Sequence, residues 1–334
     1  MSRTKPTAAL AVTPDQRRST GVAVPNEDRP VVVLGAHGQS LFMHVAAVPR
    51  EGETVIGNGY AETNDGGKAT NQAVAAARLG VPVRLVSLVG RDERGRRILL
   101  YLDSQRVDRR WVQTTEGATD VGFVMLSPTG VPAIASAQDL SRRVDDRFVL
   151  DAADAMRGAS VVVCQLEAPV SCALAAFTQA RASGAITILN PAPAVPMPVE
   201  LIELTDVLVP NQHEAREMVG RDAPVGELAE RLAAAAPWSR VVVTAGAEGA
   251  YLARAGERSM YIPAPSVAAV DTTGAGDAFV GALAARLRDG IDLSAAVAFA
   301  VNAAAVSVTR PGTMDTFASL AEVLAFQPVG ASEL

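Results

Sequence analysis

Six short runs of mostly branched apolar residues punctuate this chain. They are "VVVLG" from Val31, "VRLVSLVG" from Val83, "SVVVCQLE" from Ser160, "AITILNP" from Ala185, "DVLVPN" from Asp206 and "RVVVTAG" from Arg240. Unbroken Val/Ile/Leu runs bounded by Gly, Pro or Asn suit strands buried on both faces. Between them lie alanine-rich helical stretches, Asn71 to Leu79 closed by Gly80 and Ser171 to Ser183 closed by Gly184. Glycine just past the last periodic residue is a helix stop. Strands alternating with helices predict an α/β fold with a doubly wound, mostly parallel sheet.

Two segments break that alternation. Residues 41–64 and about 111–137 alternate polar and apolar residues between turn signals and read as antiparallel strands forming a small second sheet. They are either a lid over the carboxyl ends of the main strands or an edge hairpin. Residues 1–29 have no sustained period and read as a disordered tail, ahead of a domain spanning 30–330. The tail's apolar run, Ala8 to Val12, is too short for a signal-peptide core. No stretch approaches a membrane span.

Composition narrows the chemistry. Lys and Arg number 30 against 36 acidic residues, so no basic surplus points to nucleic acid. Aromatics are 4% of the chain, which leaves Ala, Val, Leu and Ile to build the core. Cys164 and Cys172 lack metal-ligand spacing, and His37, His44 and His213 are scattered. The reading is a reducing, cytoplasmic protein with no membrane or nucleic-acid partner.

Ligands of open α/β sheets bind beyond the carboxyl ends of the strands. The polar and glycine-rich motifs of this chain fall there. "GGKAT" at 66–70 is not a P-loop, because Glu62 and Ala69 stand where that motif needs Gly and Ser/Thr. Gly66 and Gly67 instead allow close backbone approach to a ligand, and the Asn71 amide can hold hydroxyls; a plain helix-entry turn is the alternative. In "NQHE", Asn211 and Glu214 make either a helix cap or a carboxylate site for Mg²⁺ or its waters. "TAGAEG" at 244–249 either wraps nucleotide phosphates with backbone N–H groups or makes a tight strand-to-strand turn.

The most informative stretch is "VDTTGAGDAFVGAL" at 270–283. Gly274, Ala275 and Gly276 leave backbone N–H groups bare at a helix mouth, an anion hole for charge that develops during reaction. Asp277 beside it can take a proton from an alcohol attacking a phosphoryl group. The alternative, Asp277 as a helix cap, leaves the two glycines and Asp271 unexplained.

These motifs, with "GETVIGN", "QLEAP", "NPAPA" and "VTRPG", resemble the ribokinase-like (PfkB) family of carbohydrate kinases over about residues 30–328, and the ribokinase branch most closely. The resemblance implies a Rossmann-like αβα domain and a β-sheet lid that forms a homodimer. It implies an ATP-dependent kinase acting on a hydroxymethyl group of a sugar or sugar-like alcohol. Asp277 would be the base, with the amides of Gly274 to Asp277 as the hole. Gly66, Gly67, Lys68, Asn71 and Glu167 would hold the sugar. Asn211, Thr244, Gly246, Glu248, Gly249 and Gly276 would contact ATP, and Glu214 would act on Mg²⁺ through water. Oxygens of Asp271, Thr273, Ser307, Arg310, Gly312 and Thr316 would ring a potassium-like ion. The runner-up readings are a nucleoside kinase of the same family and a catalytically silent sugar- or nucleotide-binding regulator.

One departure stands out. The ribokinase branch carries Asn-x-Asp after the first strand to grip sugar hydroxyls, and this chain has Gly38, Gln39 and Ser40. Ala69 likewise replaces a glycine. The phosphoryl-transfer residues are in place while the sugar-reading end is altered.

Overall fold

The strand β1 (Val31–Leu34) sends Val31 and Val33 into one apolar cluster and Val32 and Leu34 into another. Both faces are therefore covered, as its unbroken apolar run requires. The computed structural model describes residues 29–63, 66–128, 132–236 and 239–326. After β1 come β2 (Gln39–Val45), β3 (Gly57–Glu62), α1 (Lys68–Arg78), β4 (Val83–Gly90), α2 (Glu93–Ser104), β5 (Asp108–Thr115), β6 (Val121–Leu126), β7 (Pro132–Ala137) and α3 (Asp146–Asp151). The middle of the chain forms β8 (Val161–Gln165), α4 (Val170–Ser183), β9 (Ile186–Asn190), α5 (Val199–Glu203), β10 (Val207–Leu208), α6 (Gln212–Val219) and α7 (Val225–Ala235). It ends with β11 (Arg240–Thr244), β12 (Gly249–Ala253), β13 (Met260–Pro263), α8 (Ala275–Arg288), α9 (Leu293–Ser307) and α10 (Leu320–Ala325).

Among the described residues these strands make a nine-stranded sheet, ordered β13-β12-β11-β10-β9-β8-β1-β4-β5, and a four-stranded sheet, β3-β2-β6-β7. The large sheet is parallel except at β12 and β13. Helices α1, α8 and α9 bury one face of it, and α4 and α7 bury the other. All six apolar runs lie in this sheet, and Gly184 stops α4 in the left-handed conformation expected of it. The chain order reverses between β1 and β8, so the crevice at their carboxyl ends is the topological switch point.

Three expectations are corrected. The segment expected from residue 111 begins in β5, which pairs with β4 at the edge of the large sheet, so the small sheet takes only β6 and β7 from it. The small sheet is mixed, because β2 and β6 run parallel. Arg29 is not part of a tail: its guanidinium donates to the carbonyls of Gly158 and Ala159, and its own carbonyl accepts from Arg288. Residues 1–28 of the expected tail lie outside the described residues, as do 64–65, 129–131, 237–238 and 327–330 of the expected domain and its lid segments. Among the described residues no helix is long and apolar enough to cross a membrane.

Candidate active site

Asp277 sits in the first turn of α8 and is buried. Its Oδ2 accepts from Asn71 Nδ2 at 2.9 Å and its Oδ1 from Gln72 Nε2 at 3.0 Å. No side chain caps α8, whose N-cap is Gly274, so the helix-cap reading of Asp277 fails. The two helices meet closely because Gly281, one turn on, has no side chain. A Cβ there would stand 2.7 Å from the Gln72 carbonyl and 2.6 Å from the Ala75 methyl. Glycine is unfavourable inside a helix, and here it lets α1 carry Asn71 and Gln72 up to the carboxylate.

Gly274 has φ +76°, which an L side chain rarely adopts, and a Cβ on it would collide with the Thr313 methyl. One part of the expected anion hole is corrected. The Ala275 N–H is not bare but donates to the Thr272 carbonyl at 3.2 Å, which leaves Gly274, Gly276 and Asp277 as the candidate donors.

Lys68 opens α1 beside three carboxylates. Burial works against its ammonium, yet Asp277, Glu167 and Glu214 together outweigh that and raise its pKa above the ordinary lysine value. Glu167 Oε2 accepts the Lys68 N–H at 2.7 Å. Burial raises the Glu167 pKa, with the Lys68 charge and N–H pulling the other way. Burial likewise raises Glu214. His37, buried and paired through Nδ1 with the Thr70 hydroxyl at 3.0 Å, is pushed down by burial to about 4 and is neutral near pH 7.

At the sugar end, Gly66 and Gly67 sit in a tight turn packed against other backbone. Both have positive φ, and a Cβ on Gly66 would run into the Gly38 carbonyl, while one on Gly67 would stand 2.6 Å from the Ala36 carbonyl. The close approach is between this turn and the turn after β1, tied by Gly38 N–H to the Gly66 carbonyl at 3.3 Å. The Ser40 carbonyl accepts from the Thr63 backbone and hydroxyl at 3.2 Å. Beside Gly38 lies Asp120, whose carboxylate takes the N–H groups of Asp139, Leu140 and Ser141 and the Ser141 hydroxyl.

A cleft of about 400 Å³ opens between the β11–β12 turn, the chain after β13, and helices α8 and α9. Thr244, Gly246, Gly249 and Gly276 line it, with Ala264, Val267, Phe279 and Val301 as apolar wall. Asn211 and Glu248 are not among its lining residues. Asn211 instead caps α6 in a reciprocal box, its Oδ1 accepting from His213 and Glu214 while Glu214 Oε2 accepts the Asn211 N–H at 2.8 Å. The tight turn of "TAGAEG" forms one wall of the cleft. The loop before α8 and the chain after α9 are stitched together. Asp271 Oδ1 accepts from Thr273 N–H, Oδ2 accepts from Gly312 N–H, and the Val308 carbonyl accepts from Val270 and Asp271. The Thr316 hydroxyl turns to the Thr313 carbonyl and Ser307 to Ala304, while the Arg310 guanidinium points away to Glu322. Among the described residues, no three His, Cys, Asp or Glu side chains group so as to hold a metal.

Residues 32–319 match the model of the pfkB family of carbohydrate kinases. The chain belongs to that family. It is similar to a ribokinase of Schizosaccharomyces pombe, 34% identical over 88% of this chain and 96% of the relative. It is also similar to a deoxyribokinase of Salmonella typhi, 31% identical over 87% of this chain and 96% of that one. In three dimensions it resembles the structure of Arabidopsis thaliana ribokinase complexed with ribose and ATP (TM-score 0.78, 26% identity, covering 90% and 99% of the two chains). The protein is an ATP-dependent carbohydrate kinase.

In this kinase the fold brings Lys68, Asn71, Glu167 and Asp277 together at the switch point, and Gly276, the chain neighbour of Asp277, lines the cleft. Gln72 and its partner Gln165 were missed in the sequence. A signal was there: Lys68, Asn71 and Gln72 are polar at i, i+3 and i+4 of an otherwise apolar helix face.

Proposed function

We propose that the kinase transfers the γ-phosphoryl group of ATP to a hydroxymethyl oxygen of a sugar or sugar-like alcohol, with Asp277 as general base. The observation that carries this is Asp277 itself, buried and fixed by two amides at a helix mouth where it caps nothing. In the reaction the hydroxyl proton passes to Asp277 as the oxygen bonds to the γ-phosphorus. The bond to the bridging oxygen breaks, and ADP leaves with that electron pair. Charge on the transferring group falls to the helix mouth at Gly274, Gly276 and Asp277, and to the Lys68 ammonium, whose raised pKa keeps it charged. Asn71 Oδ1 is buried without a partner among the described residues and fits a sugar hydroxyl that donates to it.

The apolar cleft suits an adenine ring, with Thr244, Gly246 and Gly249 along the nucleotide and Asn211 and Glu248 further out. The Glu214 carboxylate is a hard oxygen ligand of the kind Mg²⁺ or its waters take, and it lies within charge range of Lys68. Magnesium bound to ATP neutralises phosphate charge. Oxygens of Asp271, Thr273, Ser307, Arg310, Gly312 and Thr316 are likewise hard donors on two loops already joined by hydrogen bonds, which fits a potassium-like ion; from Arg310 only the carbonyl suits. The small sheet exposes Met43, Tyr60, Phe123 and Ile134, which supports a lid that pairs with a second copy. ADP release measured with ATP and a panel of ribose, deoxyribose, other pentoses, ketohexoses and nucleosides tests the activity. No release with any of them would favour a silent binding protein.

A further inference from the structure

We infer that Gln72 is a positioning residue for Asp277, held in one amide orientation by a buried relay anchored on a backbone carbonyl. The relay starts beyond β10, where the Val209 carbonyl can only accept. Asn190 must therefore turn its Nδ2 toward it, at 2.8 Å, which leaves Asn190 Oδ1 facing the other way. That oxygen needs a donor and finds Gln72 Nε2 at 3.0 Å. The second hydrogen of the same amide group goes to Asp277 Oδ1, also at 3.0 Å. The remaining atom, Gln72 Oε1, accepts from Gln165 Nε2 at 2.5 Å.

A flipped Gln72 would set its oxygen against two acceptors and its NH₂ against a donor, three wrong contacts at once. Gln72 is fully buried and Gln165 is 2% exposed, so water cannot repair them. The polarity of the relay is set at both ends by groups that only accept: a peptide carbonyl and a carboxylate. One donor alone, Asn71, would leave the Asp277 carboxylate free to swing about a broad terminal torsion. The second donor fixes its plane, and strands β8 and β9 and helix α1 fix the donor. On this inference the relay acts through the Asp277 carboxylate alone. Its effect belongs to the aim of the base.

The inference rests on Asp277 acting as base, so Asp277→Asn is measured beside the relay variants. Gln72→Met, Gln165→Met and the double variant are assayed with ATP and the sugar from the panel that releases ADP fastest, together with melting curves. Misplacing a catalytic group by about 1 Å can cost roughly 10²-fold, so Gln72→Met should lose at least about tenfold in kcat. KM for ATP and sugar should stay within about threefold. Gln165→Met should lose less. The double variant should be no slower than Gln72→Met, because without the Gln72 amide Gln165 has nothing to orient. Losses that multiply in the double, a KM rise matching the fall in kcat, or single variants within about twofold of wild type overturn the inference. If Gln72→Met does not fold, Gln165→Met alone decides. An Asp277→Asn enzyme that keeps its turnover removes the base reading and this inference with it; an inactive one beside unaffected relay variants removes this inference only.

Discussion

Asn71 Nδ2 donates to Asp277 Oδ2 at 2.9 Å, so the helix that opens with Gly-Gly-Lys grips the carboxylate at the mouth of α8. The two amides on Asp277 differ in freedom. Gln72 is bound at every polar atom, whereas Asn71 Oδ1 has no partner among the described residues, so Asn71 can flip. In Asp277→Asn the new oxygen keeps Gln72 and the new NH₂ faces a flipped Asn71. The fold and ATP affinity should therefore survive while proton acceptance is lost. General-base catalysis contributes roughly 10²–10⁴-fold, and turnover should fall at least that far. Turnover within a few-fold of wild type would show that the carboxylate only supports structure.

Asp271 binds two backbone N–H groups, Thr273 on its own loop and Gly312 on the loop after α9. An acidic group that joins two loops beside the helix mouth, with no partner of opposite charge in either bond, is the reason to expect a monovalent cation there. Potassium should then raise kcat well above sodium at equal ionic strength, and Asp271→Asn should shrink the difference. Equal rates in the two salts would remove the cation from the mechanism.

The large sheet was legible because its valine runs have no polar face to turn outward: Val31 to Leu34 had to be covered on both sides. β5 was not, since Asp108–Thr115 is an edge strand paired only with β4, and its polar alternation looks like the small sheet's. Asp277 was singled out in the sequence by the glycines before it. Gln72 was hidden by the helix around it, where a fully buried amide next to Asn71 looks like one more member of a motif. The glycines at 66 and 67 are a different case. Local sequence tells that the backbone comes close to something, and only the fold tells that the turn after β1 is among what it approaches.

His37 gives the stability a pH dependence whose sign can be worked out. Burial lowers its pKa to about 4 in the folded protein, with Asp120 and Asp92 pulling weakly upward. The unfolded chain, with histidine near 6.5, binds more protons between those two values. Stability is therefore fully present above about pH 6.5 and is lost as pH falls toward 4. Between pH 7 and pH 5 the loss from this group should be about 2 kcal/mol. Raised carboxylates such as Glu167 act in the opposite sense, so the comparison must be with His37→Gln, not with a fixed scale. Urea midpoints at both pH values check it: the wild type should lose more than the variant. Parallel shifts in the two proteins would mean that His37 is protonated inside the fold.

The last prediction concerns the substrate. The resemblance to the ribokinase branch implies an amide and a carboxylate gripping the sugar after β1, where Gly38 and Ser40 supply no side chain and a short hydroxyl. Each hydrogen bond from a sugar to a charged group contributes about 1.5–3 kcal/mol. Its loss leaves either a loosely held ribose or room for a bulkier or less hydroxylated alcohol. D-Ribose should then show a KM raised by about tenfold or more, a loss of about 1.4 kcal/mol in binding. Restoring the grips is not symmetrical. A Cβ at Gly38 would stand 3.3 Å from the Asp120 carbonyl, tight enough that the backbone there must give, and Asp120 is locked by the N–H groups of Asp139, Leu140 and Ser141. Ser40→Asp alone should therefore improve ribose turnover more cleanly than Gly38→Asn alone, and the pair should do best only if the Asp120 turn yields. A sub-millimolar KM for ribose in the unmodified enzyme would show that other residues of the pocket have taken over the missing grips.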